Sequence, residues 1–259
     1  AGIVGGIPLV LLLKNAAAGC VVFAGDVVRK GELPLLKEIL TSTAFALAGG
    51  LGASGGAMWV LGRLKRSQRP MAATLLSVLT SVPGLVGTLI LSLAVLAAVQ
   101  IPILSFFYRN SLPVPLERMV TSLPLALTLV VWLLPRAMLL RLMLHARSPR
   151  EPLHAARLLA DSPLPSKRRA SRDLVWHMQA RGAFWTMALL CYWAYWDLTA
   201  PSILMPIGMV AAPVRLYNFM HYSQTALLSA MLCATMAFPL VLLAAFAWLQ
   251  RFALRRLIG

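Results

Sequence analysis

The chain has 259 residues, of which 59% are hydrophobic and only 12% charged, with a mean hydropathy of +0.78. A water-soluble fold of this size needs about a quarter of its residues charged to cover its surface, so the composition excludes one and predicts an all-α polytopic membrane protein. The formal charge of +16 would suggest nucleic acid in a soluble protein, but the Lys and Arg lie between apolar runs, so the excess reads as topology and no nucleic-acid partner is expected.

Taking about 20 apolar residues as the crossing length, residues 1–37 read as a truncated first span followed by an external linker. The span ends near Leu13, where Lys14 and Asn15 interrupt it, and Asp26, Arg29, Lys30 and Glu32 soon follow; a crossing with an internal polar pair is the alternative. The segment has no basic leader, which argues against a secretory signal. A transmembrane domain over 38–259 then carries spans near 39–62, 71–99, 119–142, 182–205 and 225–249, giving about six transmembrane helices in all. Several contain helix breakers: Pro83-Gly84, Pro124, Pro135 and Pro239. In lipid the carbonyl that each proline frees must find another partner.

Between the third and fourth of these five spans lies a long basic polar loop, 144–181. Placing the ten basic residues from Arg136 to Arg181, the cluster Arg63 to Arg69 and the C-terminal Arg251, Arg255 and Arg256 on one side puts seventeen of the 24 Lys and Arg there. That side is the cytoplasm and the C-terminus is inside, because cytoplasmic loops are the ones enriched in Lys and Arg. Segments 100–118 and 206–224 lie outside.

Within the loop, His154-Ala155-Ala156-Arg157-Leu158-Leu159-Ala160-Asp161-Ser162-Pro163 reads as a short amphipathic helix followed by a turn. Leu153, Ala156 and Leu159 share one face, with His154 and Arg157 on another. Such a helix suits a groove in a cytoplasmic protein. The alternative is a helix on the membrane surface, with Lys167 to Arg169 drawn to anionic lipid.

The order of features resembles the membrane subunit of a type I ABC importer, in the iron(III)-type branch of permeases, over most of the chain. The resemblance rests on Ile39-Leu40-Thr41-Ser42-Thr43, the basic turn Arg63 to Pro70, and Ser81-Val82-Pro83-Gly84-Leu85-Val86-Gly87. It rests further on Asp197-Leu198-Thr199-Ala200-Pro201-Ser202-Ile203-Leu204, Pro206-Ile207-Gly208 and Arg215-Leu216-Tyr217-Asn218-Phe219-Met220. His154 stands where the family has Glu and Ala160 where it has Gly, Leu164 to Arg169 look inserted, and Asp161-Ser162-Pro163 supply the break that the glycine would make.

The resemblance implies a type I (MetI-like) permease core in a bacterial inner membrane and coupling to a separate ABC ATPase through 152–163. It also implies an external solute-binding protein, a second permease copy or fused half, and ferric iron or another small inorganic ion as solute. Pro83, Gly84, Asp197 and Thr199 would then line the translocation pathway. The chain itself would bind no cofactor and catalyse no reaction, ATP being used by the partner; it carries neither a Gly-Lys-Ser/Thr phosphate loop nor a nucleophile–base–acid set.

Asp197 is the sole acidic residue within the spans as drawn. It either lines a pathway, where it would favour a cation, or sits at the outer interface in the aromatic belt of Trp193, Tyr195 and Trp196. An ion-gradient-driven secondary carrier using Asp197 is therefore the alternative function, and a membrane scaffold a third. Cys20, Cys191 and Cys233, the twelve Met and the four His are dispersed and indicate no disulfide or metal site.

Overall fold

The computed structural model describes residues 2–30, 34–66, 70–101, 114–147, 150–176, 181–206 and 208–258. Residues 102–113 of the expected external loop, together with His177 and Ile207, lie outside the described residues. The chain is a helical membrane protein, and no strand occurs among the described residues.

The helices in chain order are α1 (Gly2–Lys30), α2 (Pro34–Arg66), α3 (Pro70–Val99), α4 (Val114–Arg147), α5 (Arg150–Ala160), α6 (Pro165–Val175), α7 (Arg181–Tyr195), α8 (Thr199–Leu204), α9 (Ala212–His221) and α10 (Thr225–Ile258). Pro34, Pro70 and Pro165 open three of them, where proline's fixed φ suits the first turn and its missing N–H leaves no bond unmade. Among the described residues, four helices are long and apolar enough to cross a membrane, over Leu35–Leu64, Thr74–Val99, Val120–Ala146 and Thr225–Ala245.

Two expectations about spans change. The first segment does not end near Leu13: α1 runs unbroken through Lys14 and Asn15 to Lys30, since neither residue costs more than about 0.7 kcal/mol in a helix interior. Its apolar stretch covers Val10–Gly25. The segment 182–205 is not one helix, because α7 stops at Tyr195 and α8 starts at Thr199. Pro201 falls in the first turn of α8, where its missing N–H leaves no helix bond unmade. The Asp197 carboxylate accepts the Ala200 N–H at 3.0 Å, so the new helix begins with one of its free N–H groups satisfied.

Helix α2 is the hub, packing along α4 and α7, while α3 lies on α4, α1 on α10, and α9 bridges α10 and α2. Gly49 faces Leu129 and Gly56 faces Leu134, so α2 and α4 run in the same direction; Gly182 faces Leu144, so α7 runs back along α4. Leu125, Leu129, Leu133, Leu190 and Met231 are fully buried between these helices. The basic ends of α2 and α4, the start of α7 and the α5–α6 pair thus gather at one end of the bundle.

Candidate functional site

Within the loop 144–181, residues 150–175 form a helical hairpin between α4 and α7. Helix α5 ends at Ala160, the chain turns over Asp161 to Leu164, and α6 starts at Pro165. Turn bonds hold the corner: the Ser162 N–H donates to the Leu159 carbonyl at 3.3 Å and the Leu164 N–H to Ser162 Oγ at 3.4 Å. The Pro163 carbonyl accepts from Arg168 Nη2 at 3.2 Å. The arms are locked where the buried Ser171 hydroxyl donates to the Ala156 carbonyl at 2.6 Å.

This packing reassigns the faces of α5. Ala156, expected on the outward stripe, has 0% exposure, and Leu159 is half-buried. That stripe is consumed by contact with α6. The outward surface is His154, Ala155 and Leu158, the last 63% exposed, with Ala160, Asp161 and Pro163 exposed at the tip. Leu153 and Arg157 belong to α5, their side chains lying outside the described residues.

A second set of predicted residues sits deeper in the bundle. The break between α7 and α8 presents Asp197, which accepts hydrogen bonds from the Ala200 and Thr199 N–H groups and from the Thr88 hydroxyl of α3, and feels the Arg136 guanidinium electrostatically. Arg136 is itself held by the Trp132 carbonyl at 3.1 Å and by the Trp132 ring, 4.1 Å from its centroid. Thr199 opens α8 beside Asp197. Pro83 and Gly84 lie in α3 about one turn before Thr88.

Pro83 continues the helix, and Gly84 lets the Pro135 ring of α4 approach, since a Cβ at Gly84 would meet Pro135 Cγ at 2.5 Å. The departure from helical geometry comes at Gly87, with φ 81° and ψ 163°, a region open essentially to glycine alone. Gly87→Ala is therefore expected to lower stability by about 1–3 kcal/mol although nothing lies within 4 Å of the new methyl. A thermal melt in detergent measures this, and an unchanged midpoint would contradict it.

Around Asp197 hydrogen-bonding capacity is left over. Ser92 Oγ, Tyr195 OH and Trp196 Nε1 are buried and have no partner among the described residues. Tyr195, 4% exposed, lines both a small cavity walled by Ser42, Phe45, Leu129, Asp197 and Pro201 and an apolar cleft between α2, α7 and α10. Unmatched polar groups are costly in an apolar surround, so the small cavity beside Tyr195 and Asp197 is a place in the described bundle ready to receive a polar ligand. Among the described residues no group of three His, Cys, Asp or Glu gathers as a metal site.

At the opposite end from the hairpin the structure adds a clamp. Arg215 Nη2 and Nε lie 2.6 Å and 2.8 Å from Glu38 Oε1, and the Ser42 hydroxyl oxygen accepts the Ala212 N–H at 2.7 Å, satisfying the start of α9 from a neighbouring helix. Asp197 is thus not the sole acidic residue within the spans, because α2 starts earlier than expected and carries Glu38 inside it. The available signal was the acidic residue four positions after Pro34; the identity of its partner was not signalled. No family model matches the chain, and no curated protein matches it.

Proposed function

We propose that the chain is the membrane subunit of an ATP-binding-cassette importer of type I architecture, set in a bacterial inner membrane with its C-terminus in the cytoplasm. In this reading α1, α2, α3, α4, α7 with α8, and α10 are the six spans of the permease core. A second copy or fused half completes the pore, and an external binding protein delivers ferric iron or another small inorganic ion. The observation that carries the reading is the α5–α6 hairpin: a rigid unit with an exposed apolar tip, tied directly to two core helices, α4 and α7.

Closure of an ATPase on the outward face of α5 would displace the hairpin as one body, because the Ser171–Ala156 bond and the packing of the arms allow no independent movement. The displacement would pass into α4 and α7, which carry Arg136 at mid-span and Asp197 at the far break. A passing cation would meet Asp197, and the unmatched Tyr195 and Ser92 hydroxyls offer it further oxygen. The rival ion-gradient carrier asks Asp197 to exchange its proton or cation freely. Its three hydrogen-bond donors favour a fixed acceptor instead.

The test is affinity capture of the tagged full-length protein with mass-spectrometric identification of an ABC-type ATPase. Leu158→Asp, at an exposed position, is expected to leave the fold intact and weaken capture about thirty-fold, the loss of one interface anchor worth about 2 kcal/mol. Unchanged capture together with unchanged ATP-dependent uptake would remove the coupling role.

A further inference from the structure

The two arms of the hairpin differ in chemistry, and an ATPase groove accounts for only one. Helix α6 packs on α10 as well as on α5. Lys167, Arg168, Arg169 and Arg172 are all exposed on it, against a single acid, Asp173. Arg168 and Arg172 stand one turn apart with Arg169 beside them, so three guanidinium groups share one side of the helix. Leu164 at 50% and Leu174 and Val175 at 37% are exposed along the same arm.

A basic helix with apolar side chains at its margin, lying where transmembrane helices leave the bilayer, has the make-up of an interfacial segment. We propose that α6 binds the phosphates of anionic phospholipid headgroups through Lys167, Arg168, Arg169 and Arg172. The planar fork of arginine matches phosphate oxygens two at a time, and Leu164 and Val175, which flank the arginine side of the helix, enter the headgroup boundary. The two readings of the 144–181 segment then belong to different arms: α5 faces away from the membrane toward a soluble partner, and α6 rests on lipid. Anchored in this way, the root of the hairpin stays at the bilayer surface. The assignment holds whatever docks on α5, so its failure and that of the importer reading are separable.

The experiment is hydrogen exchange on the full-length protein in nanodiscs of phosphatidylcholine alone or with part of the lipid replaced by phosphatidylglycerol. Amides of 166–175 are expected to exchange several-fold more slowly in the anionic discs, with the slowing abolished by high salt and by the triple variant Arg168→Gln/Arg169→Gln/Arg172→Gln. In native mass spectrometry each of these substitutions is expected to weaken retention of phosphatidylglycerol about five-fold. Unchanged exchange of α7 amides shows that the variant is folded, since all three arginines are exposed. Equal exchange of α6 in the two lipids, or protection that survives the triple substitution, overturns the proposal. Equal exchange with slowing only when a purified ATPase subunit is added would likewise overturn it and assign the surface to protein.

Discussion

Arg215→Met is expected to destabilise the bundle by about 3 kcal/mol, the low end of the cost of removing one partner from a buried ion pair. Arg215 is itself 36% exposed, which argues for the low end, whereas the Glu38 side chain is only 8% exposed and would lose its hydrogen-bonded partner, with only the electrostatic effect of Lys37 left to it among the described residues. The asymmetry gives the prediction its edge. Glu38→Gln leaves an arginine that water and the Phe219 ring, 5.6 Å away, can still accommodate, so it is expected to cost about 1 kcal/mol, the size of an ordinary hydrogen bond. The double variant Glu38→Gln/Arg215→Met is expected to recover most of the loss, because no uncompensated charge remains. Equilibrium unfolding of the purified protein in mixed detergent measures all three. If Arg215→Met and Glu38→Gln cost the same, the pair is a surface contact and not the clamp joining α9 to α2.

The long helices could be read from the sequence because hydropathy alone determines them: 39–62, 71–99, 119–142 and 225–249 each overlap a helix long and apolar enough to cross. What went wrong did so for local reasons. Lys14 and Asn15 look like a boundary on a hydropathy scale, yet they are not helix breakers, so the backbone ignores them. Asp197 is a weak signal on that scale, yet its carboxylate accepts the Ala200 N–H at the break between α7 and α8. A window summed over 182–205 cannot see this.

The site divides along the same line. The turn at Asp161-Ser162-Pro163 and the helix before it were legible from local residues. The outward face of α5 was not, because periodicity reveals an apolar stripe without saying which partner uses it, and here α6 does. Asp197 stood out as an acid in an apolar run, but its ties to Thr88 and Arg136 join residues about a hundred and about sixty positions away. The Glu38–Arg215 and Ser42–Ala212 contacts are likewise long-range, with sequence separations of 177 and 170. Only the small-residue run of α2, from Ala46 to Ala57, carried a readable signal of close helix packing that the hydropathy pattern passed over.

That run makes the last prediction. Gly50→Val is expected to be the most damaging single substitution considered, leaving little folded protein. A Cβ at Gly50 would collide with Cys191 Sγ, and it would also stand 2.9 Å from the Cys191 nitrogen and 3.1 Å from its Cα. A side chain can rotate away; the backbone of α7 cannot, so the helices must separate. Separation opens the contact made by Ala46, Ala53, Leu190 and Ala194, and each large apolar side chain that loses its partners gives up about 2 kcal/mol or more. Gly50→Val/Cys191→Gly is therefore expected to restore folding only in part, because the sulfur goes but the backbone stays. Gly62→Ala, on the same helix with nothing within 4 Å, is expected to stabilise by about 0.5–1 kcal/mol through helix propensity alone. Opposite signs on one helix separate close packing from a general intolerance of α2 to substitution, and yield of monodisperse protein followed by thermal melts reads both. The consequence reaches the proposed mechanism: α2 and α7 touching backbone to backbone move together, so motion entering α7 from the hairpin would be carried undiminished to Asp197 at its far end.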